Sequence, residues 1–240
     1  MSITAKEIVS AYKIQEETLK EVHSHNLEKR LKFTSSFIGK TIHKIKFFLF
    51  LFFSPSSGVS LSKNIFEGYR HNGVINLFEK DDYSVIVGVS DLFRATKKRQ
   101  NFIWGGGIIA AFELALYLDE YKYLDKIINR LNLWNDGTSK VFLFLYEDTQ
   151  PLGIVLSKIF YKSKNITTIC IAHGYFTKAT GFKKSDYIWE GNNCNYNFVW
   201  DDSQSYFFDN EKTSVITLGI PYQYSLINKC DKKSILLVGH

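Results

Sequence analysis

Short runs of apolar, mostly β-branched or aromatic residues recur along this chain, and several are followed by a stretch with helical spacing. Tyr83–Val89, Lys140–Tyr146, Ile166–Ala172 and Ser214–Leu218 have the first character. Bounded by turn signals, such runs read as buried strands. Ile108–Leu131, Pro151–Phe160 and Asp201–Phe208 have the second, and read as helices. Parallel neighbours need a crossover long enough to hold a helix, so strands that alternate with helices predict a parallel sheet with right-handed connections. The expected fold class is α/β, a Rossmann-like parallel sheet flanked by helices.

In an open parallel sheet the ligand crevice lies outside the carboxyl ends of the strands. The residues just after each predicted strand are therefore the first candidates for chemistry. Ile166–Ala172 stops abruptly at His173-Gly174, with Lys178 and Gly181 close behind. An imidazole titrates near neutrality and can take or give a proton under mild conditions. A histidine that only hydrogen-bonds its own loop fits the same spacing. Lys140–Tyr146 ends in Glu147-Asp148-Thr149 before Pro151, where the acids suit either acceptor hydroxyls or a helix cap. Trp104-Gly105-Gly106-Gly107 opens the long helix with no strand expected directly before it. Three glycines there permit close approach of a ligand, or a tight packing turn.

The amino-terminal quarter is of another kind. Ile3–Glu28 reads as a polar helix. Lys32–Phe53 contains four lysines, no acid and a terminal apolar run of seven residues. A membrane span needs roughly 20 apolar residues, so this segment is too short to cross. A basic helix with a Phe/Leu end fits an interfacial anchor on an anionic membrane, and equally a core helix with a solvated lysine face. Ser54-Pro55-Ser56-Ser57-Gly58 then breaks the chain. Lys233–Val238 is again a core-type strand. The expected organisation is a helical, basic segment (1–57), a Rossmann-like domain (58–232) and the first strand of a second domain (233–240).

The formal net charge of +6 favours anionic partners without choosing among them. Cys170, Cys194 and Cys230 are odd in number and far apart, which points to a reducing compartment rather than a disulfide framework. No CxxC, HExxH or GxSxG occurs, so neither a metal site nor a hydrolase nucleophile elbow is expected.

In chain order, AHGYFTKATG, SDYIWEGNN, an aromatic-rich helix, VITLGIPY and ILLVGH resemble the polymer-synthesising transferases of the two-domain GT-B type. These include teichoic-acid glycerophosphotransferases, polysialyltransferases and related capsule or lipopolysaccharide glycosyltransferases. The resemblance covers about residues 140–240 and is carried by His173, Gly174, Lys178, Gly181, Ser185, Asp186, Tyr187, Gly219 and Pro221. Tyr175-Phe176 depart from the small-residue and proline pattern of the glycerophosphate enzymes, which favours a sugar donor.

The resemblance implies the amino-terminal, acceptor-side half of a GT-B architecture. It implies an inverting transfer from a nucleotide-sugar donor to a cell-surface polysaccharide or glycolipid acceptor. His173 would be the general base or orienting group, with Glu147 and Asp148 sharing that task or holding acceptor hydroxyls. Lys178 would meet donor phosphate, and Gly174, Gly105, Gly106, Gly107 and Gly219 would allow close approach of substrate. A second domain would hold most of the nucleotide, with no metal or other cofactor. The expected location is cytoplasmic, with peripheral contact at the inner face of the plasma membrane, and no nucleic-acid partner is expected. The alternative is a non-catalytic membrane-associated α/β module or a degenerate transferase remnant.

Overall fold

A computed structural model describes residues 3–18, 20–56, 58, 61–69, 72–98, 101–136, 139–146, 150–171, 193–199, 202–208 and 212–218. Seven strands form one sheet: β1 (Asn64–Glu67), β2 (Tyr83–Val87), β3 (Phe102–Trp104), β4 (Val141–Leu145), β5 (Ile166–Ile171), β6 (Tyr196–Val199) and β7 (Ser214–Thr217). Their spatial order is β3-β2-β1-β4-β5-β6-β7, and every pairing is parallel. The fold is the expected Rossmann-like α/β sheet, and its order has the doubly wound form in which the chain reverses direction beside its first strand.

Helices α4 (Asn72–Ile75) and α5 (Val89–Lys97) carry the chain outward from β1 through β2 to β3. Helices α6 (Gly106–Leu118) and α7 (Tyr121–Asn132) bring it back to β4, and α8 (Pro151–Phe160) leads on to β5. Right-handed crossovers running in opposite directions place these two sets on opposite faces. The central strands are buried on both faces, as such layering requires: β2 is buried at all five positions, and Ile166, Thr168, Ile169, Cys170 and Ile171 of β5 are buried, whereas the edge strand β7 is largely exposed.

Three further helices, α1 (Ala5–Thr18), α2 (Lys20–Ser35) and α3 (Phe37–Phe53), lie outside α6 and α7. Ala5, Ile8, Val9, Phe47 and Phe50 belong to the same apolar core as the sheet. Ser36 divides the expected single basic helix in two. Its backbone is extended, and its hydroxyl accepts the Gly39 N–H at 3.0 Å as an N-cap. Gly39 is needed there, because a Cβ would collide with the Phe33 carbonyl oxygen. Three contacts then fix α3. Trp104 Nε1 donates to the Lys46 carbonyl at 3.2 Å. Arg130 on α7 donates to the Leu51 carbonyl at 2.7 Å and to Ser54 Oγ at 3.1 Å, satisfying groups at the helix carboxyl end.

Candidate functional site

Because all seven strands are parallel, their carboxyl ends share one edge. Ligands in open α/β sheets settle where the strand order reverses, since loops on either side of that point diverge to opposite faces. Here the reversal falls between β1 and β4. The last residue of β1 is Glu67, and the first residue beyond β4 is Tyr146. A Glu67 carboxylate oxygen accepts the Tyr146 N–H at 2.9 Å, so the two exits are joined at the reversal point. The Cys170 thiol of β5 lies 3.8 Å from the Tyr146 carbonyl oxygen. Tyr146 is thus held from both sides.

Glu67 is only partly buried, and it is the acid that reasoning from sequence missed. The signal was slight: Glu67-Gly68 repeats the ionisable residue and glycine of His173-Gly174, but only Ile65-Phe66 precede it as an apolar stretch. Gly68 continues the ladder by donating to the Ile86 carbonyl at 2.9 Å and sits at φ 68°. Space would admit a side chain there, whose Cβ would lie 3.9 Å from Asp91 Oδ2. The left-handed backbone is what selects glycine.

Tyr69 follows and turns inward. Its ring is buried under Arg94 and Lys98, whose charged groups lie 4.4 Å and 5.4 Å from the ring centroid. Burial holds its phenol above the usual range, with Tyr83 and Asp91 acting the same way and Arg94 opposing. Part of the basic run after β2 is therefore stacked on an aromatic ring.

Of the residues nominated from sequence, Glu147, Asp148, His173, Gly174, Lys178 and Gly219 lie outside the described residues, as do Gly181, Ser185, Asp186, Tyr187 and Pro221. The described residues just before them leave β4, β5 and β7 at the common edge. β4 and β5 are neighbours, with Leu145 opposite Cys170, so the exits toward Glu147-Asp148 and His173-Gly174 begin side by side, the first of them next to Glu67.

Gly105, Gly106 and Gly107 are described and buried, and packing accounts for them. β3 directly precedes them, contrary to the expectation that no strand would. A Cβ on Gly105 would lie 2.5 Å from Ile86 Cγ2, and one on Gly106 2.6 Å from the Trp104 ring. One on Gly107 would meet Phe50 Cβ and lie 2.6 Å from the Lys46 carbonyl oxygen. They let the start of α6 rest on β2 and let α3 rest on α6.

A second polar cluster lies away from this edge, between α2, α3 and α6. His43 Nε2 is 3.2 Å from Glu113 Oε2 and 3.1 Å from Thr34 Oγ1, and Arg30 reaches the other Glu113 oxygen at 4.0 Å. Burial, and then the charge of Lys46, push the His43 pKa down to about 4, while burial pushes Glu113 up against the pull of Arg30 and Lys46. Both shifts oppose ionisation, so the short contact is a hydrogen bond of a neutral imidazole rather than an ion pair. The Nε2–H tautomer fits best: it donates to Glu113 and leaves buried Nδ1 as an unpartnered acceptor, where the other tautomer would strand an N–H.

Among the described residues no group of three His, Cys, Asp or Glu side chains is placed to hold a metal ion. Compared with family models, curated proteins and solved structures, the chain gives no significant match. The site stands on its own geometry.

Proposed function

We propose that this chain is the acceptor-side domain of a GT-B-type glycosyltransferase, which moves a sugar from a nucleotide-sugar donor to a polysaccharide or glycolipid acceptor. The observation that carries the reading is the convergence at the reversal point: the exits of β1, β4 and β5 adjoin there, beside the Glu67 carboxylate. In the reaction the acceptor oxygen bonds to the anomeric carbon as the bond from that carbon to the diphosphate breaks. The acceptor proton goes to a base and the nucleoside diphosphate leaves with the electron pair. His173 is the proposed base, with Glu147 or Asp148 and Glu67 as carboxylates that hold acceptor hydroxyls. Gly174, Lys178 and Gly219 are proposed to border the donor.

A positioned base contributes about 10²–10⁴-fold to such a step. The test is nucleoside diphosphate release by the full-length protein, given a panel of nucleotide sugars and oligosaccharide or glycolipid acceptors. One donor should be turned over, and His173→Ala should lower that rate by about 10²–10⁴-fold. Turnover that survives His173→Ala removes the base, and a panel with neither turnover nor donor binding removes the transferase.

A further inference from the structure

Helix α3 is two-sided. Gly39, His43, Phe47 and Phe50 are buried against the rest of the protein. The other side exposes Phe37, Ile38, Ile45, Phe48, Phe52 and Phe53, with Phe37 85% and Phe52 81% accessible. At roughly 100° per residue these six fall within an arc of about 160°, and Lys44 and Lys46 fall just outside its two borders. The last turns of α2 add exposed Leu31 and Phe33, flanked by exposed Lys29 and Lys32. The sequence has no Asp or Glu between Glu28 and Glu67. Large apolar side chains gathered on one exposed face mark an interaction surface.

We propose that this face docks the protein on an anionic lipid bilayer, with α3 lying in the plane of the interface. Charge selects the occupant. An apolar strip bordered by lysines and free of acids matches an acyl boundary beneath anionic headgroups. Two copies joined through the same face would bring lysines against lysines. No helix among the described residues is long and apolar enough to cross a membrane, so the contact lies along the surface. The buried side of α3 makes this rigid docking: the helix is already held by Trp104 and Arg130. The proposal needs only α3 and α2, and it stands if the transferase reading fails. If both hold, docking sets the protein beside a lipid-linked acceptor.

The experiment is flotation of the full chain with vesicles of phosphatidylcholine alone and of phosphatidylcholine with phosphatidylglycerol. Binding should require phosphatidylglycerol. Ile38→Ser/Ile45→Ser/Phe48→Ser/Phe52→Ser should lower the partition coefficient at least tenfold, about the effect of withdrawing one large apolar side chain. Lys44→Gln/Lys46→Gln should lower it about fivefold per lysine and weaken its dependence on salt. Leu77→Ser/Phe93→Ser, which removes exposed apolar groups elsewhere, should leave binding unchanged. Circular dichroism checks that each variant is folded, and Phe37→Ser and Phe52→Ser singly serve if the quadruple variant is not. Lack of flotation with either vesicle, or binding equal in wild type and α3 variants, overturns the proposal. So does light scattering that shows a dimer dispersed by the α3 variants, since the face would then belong to a second copy.

Discussion

Gly107 shows how much one missing methyl group permits. The α3 backbone occupies the space in which a Cβ would sit, and neither the Lys46 carbonyl nor Phe50 Cβ is the loose end of a flexible chain. Gly107→Ala should cost about 2–3 kcal/mol, roughly 5–10 °C in Tm, because helices must move apart to admit it. Gly88→Ala is the matched control: a Cβ there meets nothing within 4 Å, and with only the N-cap preference of α5 at stake its Tm should fall by no more than about 3 °C. Equal melting of the two variants would show that α3 does not rest on α6 as described. His43 supplies a second test at this scale. Its folded pKa of about 4 lies below the ordinary 6.5, so between these values the unfolded chain binds a proton that the folded one does not. Its contribution is complete above pH 6.5, falls as pH drops toward 4, and reaches on the order of 2 kcal/mol. Glu113 has the opposite sign, since its raised folded pKa favours the folded state below 4.5 and loses that effect as pH rises. Urea unfolding of wild type and His43→Gln at pH 7 and 4.5 separates the two. Wild type should lose more stability than the variant on acidification, and parallel losses would mean that His43 is not a neutral buried group.

At the scale of elements, α3 holds two kinds of phenylalanine, and their substitutions should diverge. Phe47 is fully buried, so Phe47→Ala leaves a cavity and should cost about 3–5 kcal/mol. Phe52→Ser removes an exposed ring and should change stability by no more than about 0.5 kcal/mol. Denaturation midpoints check both. The sequence left open whether this segment is a core helix or a surface anchor; its spacing supports both because the helix has two apolar faces. Elements with long apolar runs were legible, including β2, β4, β5 and α8, and β7 showed through its β-branched Val215-Ile216-Thr217. β1 and β3 were not, because each is short and carries a single β-branched residue, Ile65 and Ile103. The break between α6 and α7 was hidden for a different reason. It lies at Asp119, which takes φ 55° with neither glycine nor proline to mark it. Aspartate tolerates that region better than most residues.

At the scale of the whole molecule, strand alternation made the α/β class legible, because a parallel sheet imposes crossovers that show as helical stretches. For the candidate site, the sequence pointed to the exits of β4 and β5 alone. Its third wall needed β1, so Glu67 escaped notice until the order of strands placed it beside them. Glu67→Gln tests that wall. The glutamine oxygen still accepts the Tyr146 N–H, so Tm should stay within a few degrees, while loss of the charge should lower turnover under the transferase reading at least tenfold. Unchanged turnover would assign Glu67 to holding Tyr146 alone. The same strand order bears on biosynthesis. β1 lies between β2 and β4, and Phe66 waits for Phe144 as its partner. A nascent chain halted after α7 therefore holds β1 as the edge of a three-stranded sheet, with its outer N–H and C=O groups unpaired. Slowed translation just before Val141 should therefore raise the sedimenting fraction of newly made chains, and an unchanged fraction would show that the open flank of β1 is covered before β4 arrives.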